Sequence, residues 1–156
     1  GAPDIIRICR DYFEKEIDLR KFIEALQSNN YSLYLDSKTG ELLKQFPDNG
    51  KSWGAARKGL NLFFREIVYN CYFANYLGIP SEYEENREFL MQLEVPLDKD
   101  VATSLVNKYH DLPKWKSIKE LTPDQSNLYQ KKADEYAAEL MTARVHLDLI
   151  FWRKPQ

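Results

Sequence analysis

The sequence has few of the features that mark disulfide-rich, metal-binding or membrane-spanning proteins. Its two cysteines, Cys9 and Cys71, cannot form a disulfide framework or a four-thiolate metal site, and both are expected to be small buried hydrophobes. No apolar run approaches the roughly 20 residues of a membrane-spanning helix, and the start of the chain lacks the layout of a signal peptide. We therefore expect an intracellular protein, cytoplasmic or nuclear, with no membrane partner, no metal and no cofactor.

The chain also lacks an excess of charge of either sign. It has 22 basic and 24 acidic residues and a formal net charge of −2, so any nucleic-acid partner must be recognised through local charge. Because 44% of its 156 residues are hydrophobic and 13% are aromatic, the chain can bury a core without metals or disulfides. These totals predict a single domain over residues 1–156.

Apolar residues spaced three and four apart predict a protein built almost entirely of α-helices. The predicted helices cover residues 4–29, with a possible break near residues 17 and 18, and then 53–77, 81–93, 99–109 and 123–153. Alternation over residues 31–35 predicts an extended segment, which we expect to be a loop because no second strand is present. The fold class is therefore all-α, a helical bundle or an orthogonal multi-helix fold.

Helix-start signals support these boundaries. Ser52 and Asp98 are well placed as N-caps, and Ser81 and Thr122 each begin a capping box, the second with Pro123 at the first helical position. Apolar side chains cover most of the circumference of the segment 53–77, which is therefore predicted to be the most buried helix.

Two stretches carry the residues that best indicate a function. Residues 54–61 read Gly-Ala-Ala-Arg-Lys-Gly-Leu-Asn and open one predicted helix, and residues 95–101 read Val-Pro-Leu-Asp-Lys-Asp-Val and open another. Together they resemble the core motifs of the helix-hairpin-helix DNA glycosylases, the superfamily that includes endonuclease III and the 8-oxoguanine glycosylases. The resemblance implies that Lys58 is the catalytic nucleophile and that Asp98 is the essential catalytic carboxylate.

The implied function is that of a DNA glycosylase with possible lyase activity, which removes a damaged, possibly oxidised, base from double-stranded DNA. The target base is first flipped out of the stack, and the carboxylate stabilises the oxocarbenium-like sugar. A desolvated lysine can lose its proton and attack C1′ to form a Schiff base, which permits strand cleavage. We expect DNA contacts from Lys51, Trp53, Gly54, Arg57 and Arg65.

Ordinary structural roles are also open for these residues. Lys58 taken alone is typical of a solvated helix surface, and Asp98 taken alone is typical of an N-cap. The alternative function is a non-catalytic helical domain that binds DNA or a protein partner, and a helical scaffold with no nucleic-acid role stays open too. His110 and His146 form no recognisable metal pattern.

The apolar segment 140–152 must pack on other helices. In the glycosylase fold the C-terminal helix returns to the N-terminal lobe. The resemblance therefore implies packing on the helix that begins at Asp4, against Ile5, Ile8, Tyr12 and Phe13.

Overall fold

The computed structural model describes residues 2–80 and 82–152, and the regular structure of this part of the chain is entirely helical. The all-α prediction is confirmed. The helices are α1 Ala2–Glu16, α2 Leu19–Gln27, α3 Tyr31–Gln45, α4 Trp53–Tyr69, α5 Cys71–Tyr76, α6 Tyr83–Gln92, α7 Lys99–Lys108, α8 Pro123–Glu139 and α9 Leu147–Trp152. Short 3-10 turns cover Asp48–Gly50, Ile118–Glu120 and Arg144–His146.

The break near residues 17 and 18 is confirmed. Asp18 is the N-cap of α2, and its carboxylate accepts the backbone N–H of Arg20 at 2.9 Å. The capping box at Thr122 is also confirmed, with both of its reciprocal hydrogen bonds present. The proposed cap Ser81 lies outside the described residues, and α6 has Glu82 as its N-cap with no side-chain cap bond.

The expectation of an extended loop over residues 31–35 is wrong, because this segment is the start of helix α3. Tyr31, Leu35, Thr39 and Leu42 lie on one face of the helix and are all buried. The Thr39 hydroxyl donates to the Leu35 carbonyl at 2.7 Å, as a threonine in a helix can. The helical spacing of the buried residues therefore outweighs the alternating pattern of the first five.

The predicted helix 53–77 is two helices, which meet at Asn70. The Asn70 side chain accepts the N–H groups of Tyr72 and Phe73 and so caps α5. The burial expected of the whole segment holds only for α4, because Cys71, Tyr72 and Phe73 are exposed. The expectation that Cys71 is buried is therefore wrong, and Cys9 is half-buried.

The predicted helix 123–153 is also interrupted. Helix α8 ends at Glu139, and Met141 adopts a left-handed backbone conformation with φ 52°. The chain then turns through Arg144–His146 into the short helix α9, whose main partner is α7. The prediction that the C-terminal segment packs against the first helix is therefore wrong, because α1 packs on α3 and α4 instead.

Two hydrophobic clusters form the core, and α4 contacts both of them. The first cluster is built mainly by α1 to α4 and α6, and it includes the fully buried Phe22, Leu60 and Phe64. The second is built mainly by α7, α8 and α9, and Trp53 packs against it from the first turn of α4. The start of α4 therefore lies where the two clusters meet.

Candidate functional site

Lys58 and Asp98 lie together although 40 residues separate them in sequence. The Lys58 Nζ atom is 3.4 Å from Asp98 Oδ2, and the two side chains are 30% and 38% exposed. Each residue lies at or near the start of its helix, Lys58 in the second turn of α4 and Asp98 at the N-cap of α7. The pair is accessible to solvent and joins the two stretches in which the resemblance was found.

The N-cap geometry fixes the orientation of the Asp98 carboxylate. Its Oδ1 atom accepts the N–H groups of Asp100 and Val101, each at 3.0 Å. The other oxygen, Oδ2, is left to face Lys58. The cap predicted at Asp98 is confirmed, and the structure combines this role with the contact to Lys58.

Arg57, the neighbour of Lys58, has a different environment. It is only 4% exposed, and its guanidinium donates to three side chains. Nε and Nη2 donate to Glu94 at 2.9 and 2.7 Å, and Nη1 donates to Asp36 at 2.6 Å and to Thr39 at 3.1 Å. Because these acceptors occupy the guanidinium, Arg57 has no surface to offer to DNA.

Glu94 is the buried acceptor of this network. Besides Arg57, the Asn61 amide donates to its Oε2 at 2.9 Å. Burial disfavours the charged form of Glu94, but the hydrogen bonds and charge of Arg57 more than offset that effect. The pKa of Glu94 therefore lies below its ordinary value, and the carboxylate stays ionised. This ion pair links α4 to the segment that leads into Asp98.

A second contact fixes the same segment from the side of α8. The Gln130 side-chain amide accepts from the Val95 N–H at 3.1 Å and donates to the Val95 carbonyl at 2.8 Å. Residues 94 and 95 are thus held from two directions, by α4 and by α8. The position of Asp98 relative to Lys58 follows from these buried bonds.

The first turn of α4 is covered by the 3-10 turn Ile118–Glu120. Ser52 caps the helix by accepting the Ala55 N–H at 3.1 Å, as predicted, and its hydroxyl donates to the Ile118 carbonyl at 3.1 Å. A Cβ atom on Gly54 would lie 2.2 Å from that carbonyl oxygen. Glycine is required here because the backbone of another segment approaches so closely.

The remaining residues expected to contact DNA differ in exposure. Lys51 is exposed and forms a salt bridge with Asp48 at 2.6 Å. Trp53 is half-buried, with its ring 5.4 Å from the Arg57 guanidinium carbon. Arg65 is 11% exposed and is ion-paired with Glu66 and Asp148. With Gly54 and Arg57 buried, Lys51 presents the most accessible positive charge among the five.

The crevice that Lys58 borders is small. The crevice bordered by Lys58, Asn61 and Leu97 measures about 160 Å³ in total and has no room for a water molecule. Ligand pockets usually measure about 300–1,000 Å³. This crevice is therefore too small to enclose a flipped base.

Neither histidine extends this site. The His146 ring stacks on Tyr69 and shares a hydrogen bond with its hydroxyl, and burial lowers the pKa of His146. His110 is exposed. Within residues 2–80 and 82–152, no cluster of three or more His, Cys, Asp or Glu side chains is arranged to hold a metal ion. In the same residues, no helix has the length and apolar character needed to cross a membrane.

The sequence did not point to three residues on which the site depends, which are Glu94, Gln130 and Asp36. Glu94 directly precedes the Val-Pro motif, and an acidic residue beside an apolar run is a signal that it needs a basic partner such as Arg57. Nothing in the sequence singles out Gln130 or Asp36, because their partners lie 35 and 21 residues away.

Comparison with known proteins gives no relative from which a role could be transferred. No family model, no curated protein and no solved structure matches the chain.

Proposed function

We propose that this chain is a DNA lyase that cleaves the strand at abasic sites through the amine of Lys58, assisted by Asp98. The observation that carries the proposal is the solvent-accessible contact between Lys58 Nζ and Asp98 Oδ2 at 3.4 Å. The lysine can lose its proton to solvent and attack as an amine, and the neighbouring carboxylate can serve as the base in the elimination that follows. The resemblance to the glycosylases supports the same two residues.

The size of the crevice favours an abasic site over a damaged base as the substrate. A base would need a pocket larger than the roughly 160 Å³ beside Lys58. An abasic sugar has no base, so it can reach a lysine at an open surface. Base removal, the other half of a glycosylase reaction, is for this reason not part of the proposal.

Cleavage at an abasic site by an amine involves imine formation followed by elimination, and neither step changes an oxidation state. The Lys58 amine attacks the C1′ aldehyde of the ring-opened sugar, a nitrogen–carbon bond forms, and water leaves to give an imine. A base then removes the C2′ proton, and the 3′ phosphate oxygen departs with the electron pair of its bond to C3′. Asp98, beside the amine, is the carboxylate that can take up the C2′ proton, and the proton that Lys58 loses before it attacks passes to solvent.

Exposed cations near the site can attract the DNA backbone despite the net charge of −2. Lys51 lies just before α4, and Lys99 is the first residue of α7, next to Asp98. Both are exposed. Contacts of this kind depend on salt, so we expect the affinity for DNA to fall as ionic strength rises.

Strand cleavage and borohydride trapping on a duplex with one abasic site test this proposal. Borohydride reduces the imine to a stable amine, so wild-type protein should become covalently attached to the DNA. Lys58→Ala should abolish attachment, whereas Lys99→Ala, which removes a neighbouring exposed lysine, should leave it. Asp98→Asn keeps an N-capping side chain but loses the charge, and it should slow cleavage by roughly 100-fold.

Two outcomes would contradict the proposal. Lys58→Ala protein that is trapped as well as wild type would exclude the lysine. Salt-dependent binding of DNA with no cleavage and no trapping would instead favour the alternative, a non-catalytic helical DNA-binding domain.

A further inference from the structure

An open apolar groove lies between α1 and α4, away from the buried network of Arg57. Its volume is about 670 Å³. Ile6, Cys9 and Phe13 form the α1 side, and Gly59, Leu62 and Phe63 form the α4 side. Ile6 is 60% exposed, although burial of a large aliphatic side chain is energetically favourable. Grooves lined by apolar side chains are typical binding sites for amphipathic helices.

Three charged residues line the rim of the groove, Arg10 and Glu14 on α1 and Glu66 on α4, and Glu66 is already paired with Arg65. Arg10 and Glu14 lie one turn apart on α1, and both are exposed. Within the described part of the chain, neither residue forms a salt bridge, either with the other or with a third residue. Each is therefore available to a charge of the opposite sign on another molecule.

We propose that the groove binds helix α1 of a second copy of this chain, in a symmetric antiparallel pair. In such a pair, the two-fold axis places Arg10 of each copy opposite Glu14 of the other. Two equivalent Arg10–Glu14 contacts then form across the interface. A parallel arrangement would place Arg10 against Arg10, and like charges at an interface are unfavourable.

This inference does not depend on the proposed function. The Lys58 side chain is not among the groove residues, and the assembly leaves the Lys58–Asp98 pair outside the contact. Failure of the lyase proposal and failure of the dimer would therefore be seen in separate experiments.

Charge reversal tests the dimer sharply because the two charges are predicted to face each other. Sedimentation equilibrium of the full chain at low salt should give a dimer for wild type. Arg10→Glu and Glu14→Arg, each alone, should weaken association by roughly 10-fold or more, because each creates two like-charge contacts. The double variant Arg10→Glu/Glu14→Arg should restore association, because opposite charges again face each other with their positions swapped.

An apolar pair of variants supplies the matched control. Ile6→Asp should give a monomer, whereas Leu33→Asp, at a side chain that is 70% exposed on α3, should remain a dimer. Circular dichroism of each variant shows whether its helices are retained. Wild-type protein that is a monomer at every concentration up to its solubility limit would overturn the proposal. So would a dimer that both single charge reversals leave unchanged.

Discussion

The buried face of helix α4 and the residues that flank it differ in ways that composition alone does not reveal. That face carries Arg57, Asn61 and Phe64, all buried and bound to other elements. Lys58 and Phe63 flank this face, one on each side of the helix, and both are half-exposed. Neighbouring residues of the same chemical type, Arg57 and Lys58 or Phe64 and Phe63, thus lie in different environments.

This difference separates residues that hold the fold from residues that are free to act. The Arg57 guanidinium is occupied by two carboxylates and a hydroxyl, so its charge is used inside the protein. Lys58 has one carboxylate at 3.4 Å and access to solvent. In a pair of adjacent basic residues, the one with fewer partners is the candidate for chemistry.

Replacing the two basic residues should give the largest contrast in stability. Arg57→Ala leaves buried Glu94 without its partner and should cost about 3–5 kcal/mol, because an unpaired buried charge is strongly unfavourable. Lys58→Ala should change the free energy of unfolding by less than about 1 kcal/mol, as is usual for an exposed ion pair. Urea unfolding measures both, and equal losses would contradict the distinction between the two residues.

The two phenylalanines test the same contrast with apolar side chains. Phe64 is fully buried and stacks on Phe22, so Phe64→Ala should cost about 3–5 kcal/mol through lost burial and a cavity. Phe63 stacks on Phe13 at the edge of the open groove, and Phe63→Ala should cost about 1–2 kcal/mol. Chemical denaturation at one pH gives both values. A larger loss for Phe63 than for Phe64 would contradict this difference in burial.

Acidification should lower the stability of the protein through the buried ion pair of Arg57 and Glu94. Its folded-state pKa lies below the ordinary value of 4.5, so its contribution is present above about pH 4.5 and is lost as the pH falls towards the folded pKa. Glu94→Gln should therefore make the stability less dependent on pH in that range. The exposed Glu84→Gln serves as the control, and an unchanged pH dependence in Glu94→Gln would exclude this role.

The smallest expected effect concerns the cap at Asp98. Asp98→Asn should leave stability nearly unchanged because asparagine is also a good N-cap, whereas Asp98→Ala should cost about 1 kcal/mol. Thermal unfolding of the two variants measures this difference. A large loss in Asp98→Asn would mean that the charge of Asp98 stabilises the fold, which would weaken its assignment to chemistry.

Local signals in the sequence predicted the helical class and the caps at Ser52, Asp98 and Thr122, but not the cap at Asn70. Ser52, Asp98 and Thr122 act on backbone groups two or three residues away, so their roles can be read from short patterns. The alternation at residues 31–35 misled because burial of Tyr31 and Leu35 against α4 depends on tertiary contacts. The same limit explains why α9 was assigned to the wrong partner.

In the candidate site too, residues in short motifs could be named from the sequence, whereas contacts between distant residues could not. The resemblance named Lys58 and Asp98, and the structure brings them to within 3.4 Å. It could not reveal that Arg57 is buried, because the residues that bury it, Asp36 and Glu94, come from distant parts of the chain. Whether an arginine is a surface contact or a core ion pair depends on such partners.

Identification of the trapped residue tests the central claim most directly. After borohydride trapping on abasic DNA, protease digestion and mass spectrometry locate the lysine that carries the sugar remnant. The account predicts the modification on Lys58, in the wild type and in the Lys99→Ala variant alike. A remnant on any other lysine or on the α-amino group, with Lys58 unmodified, would contradict it.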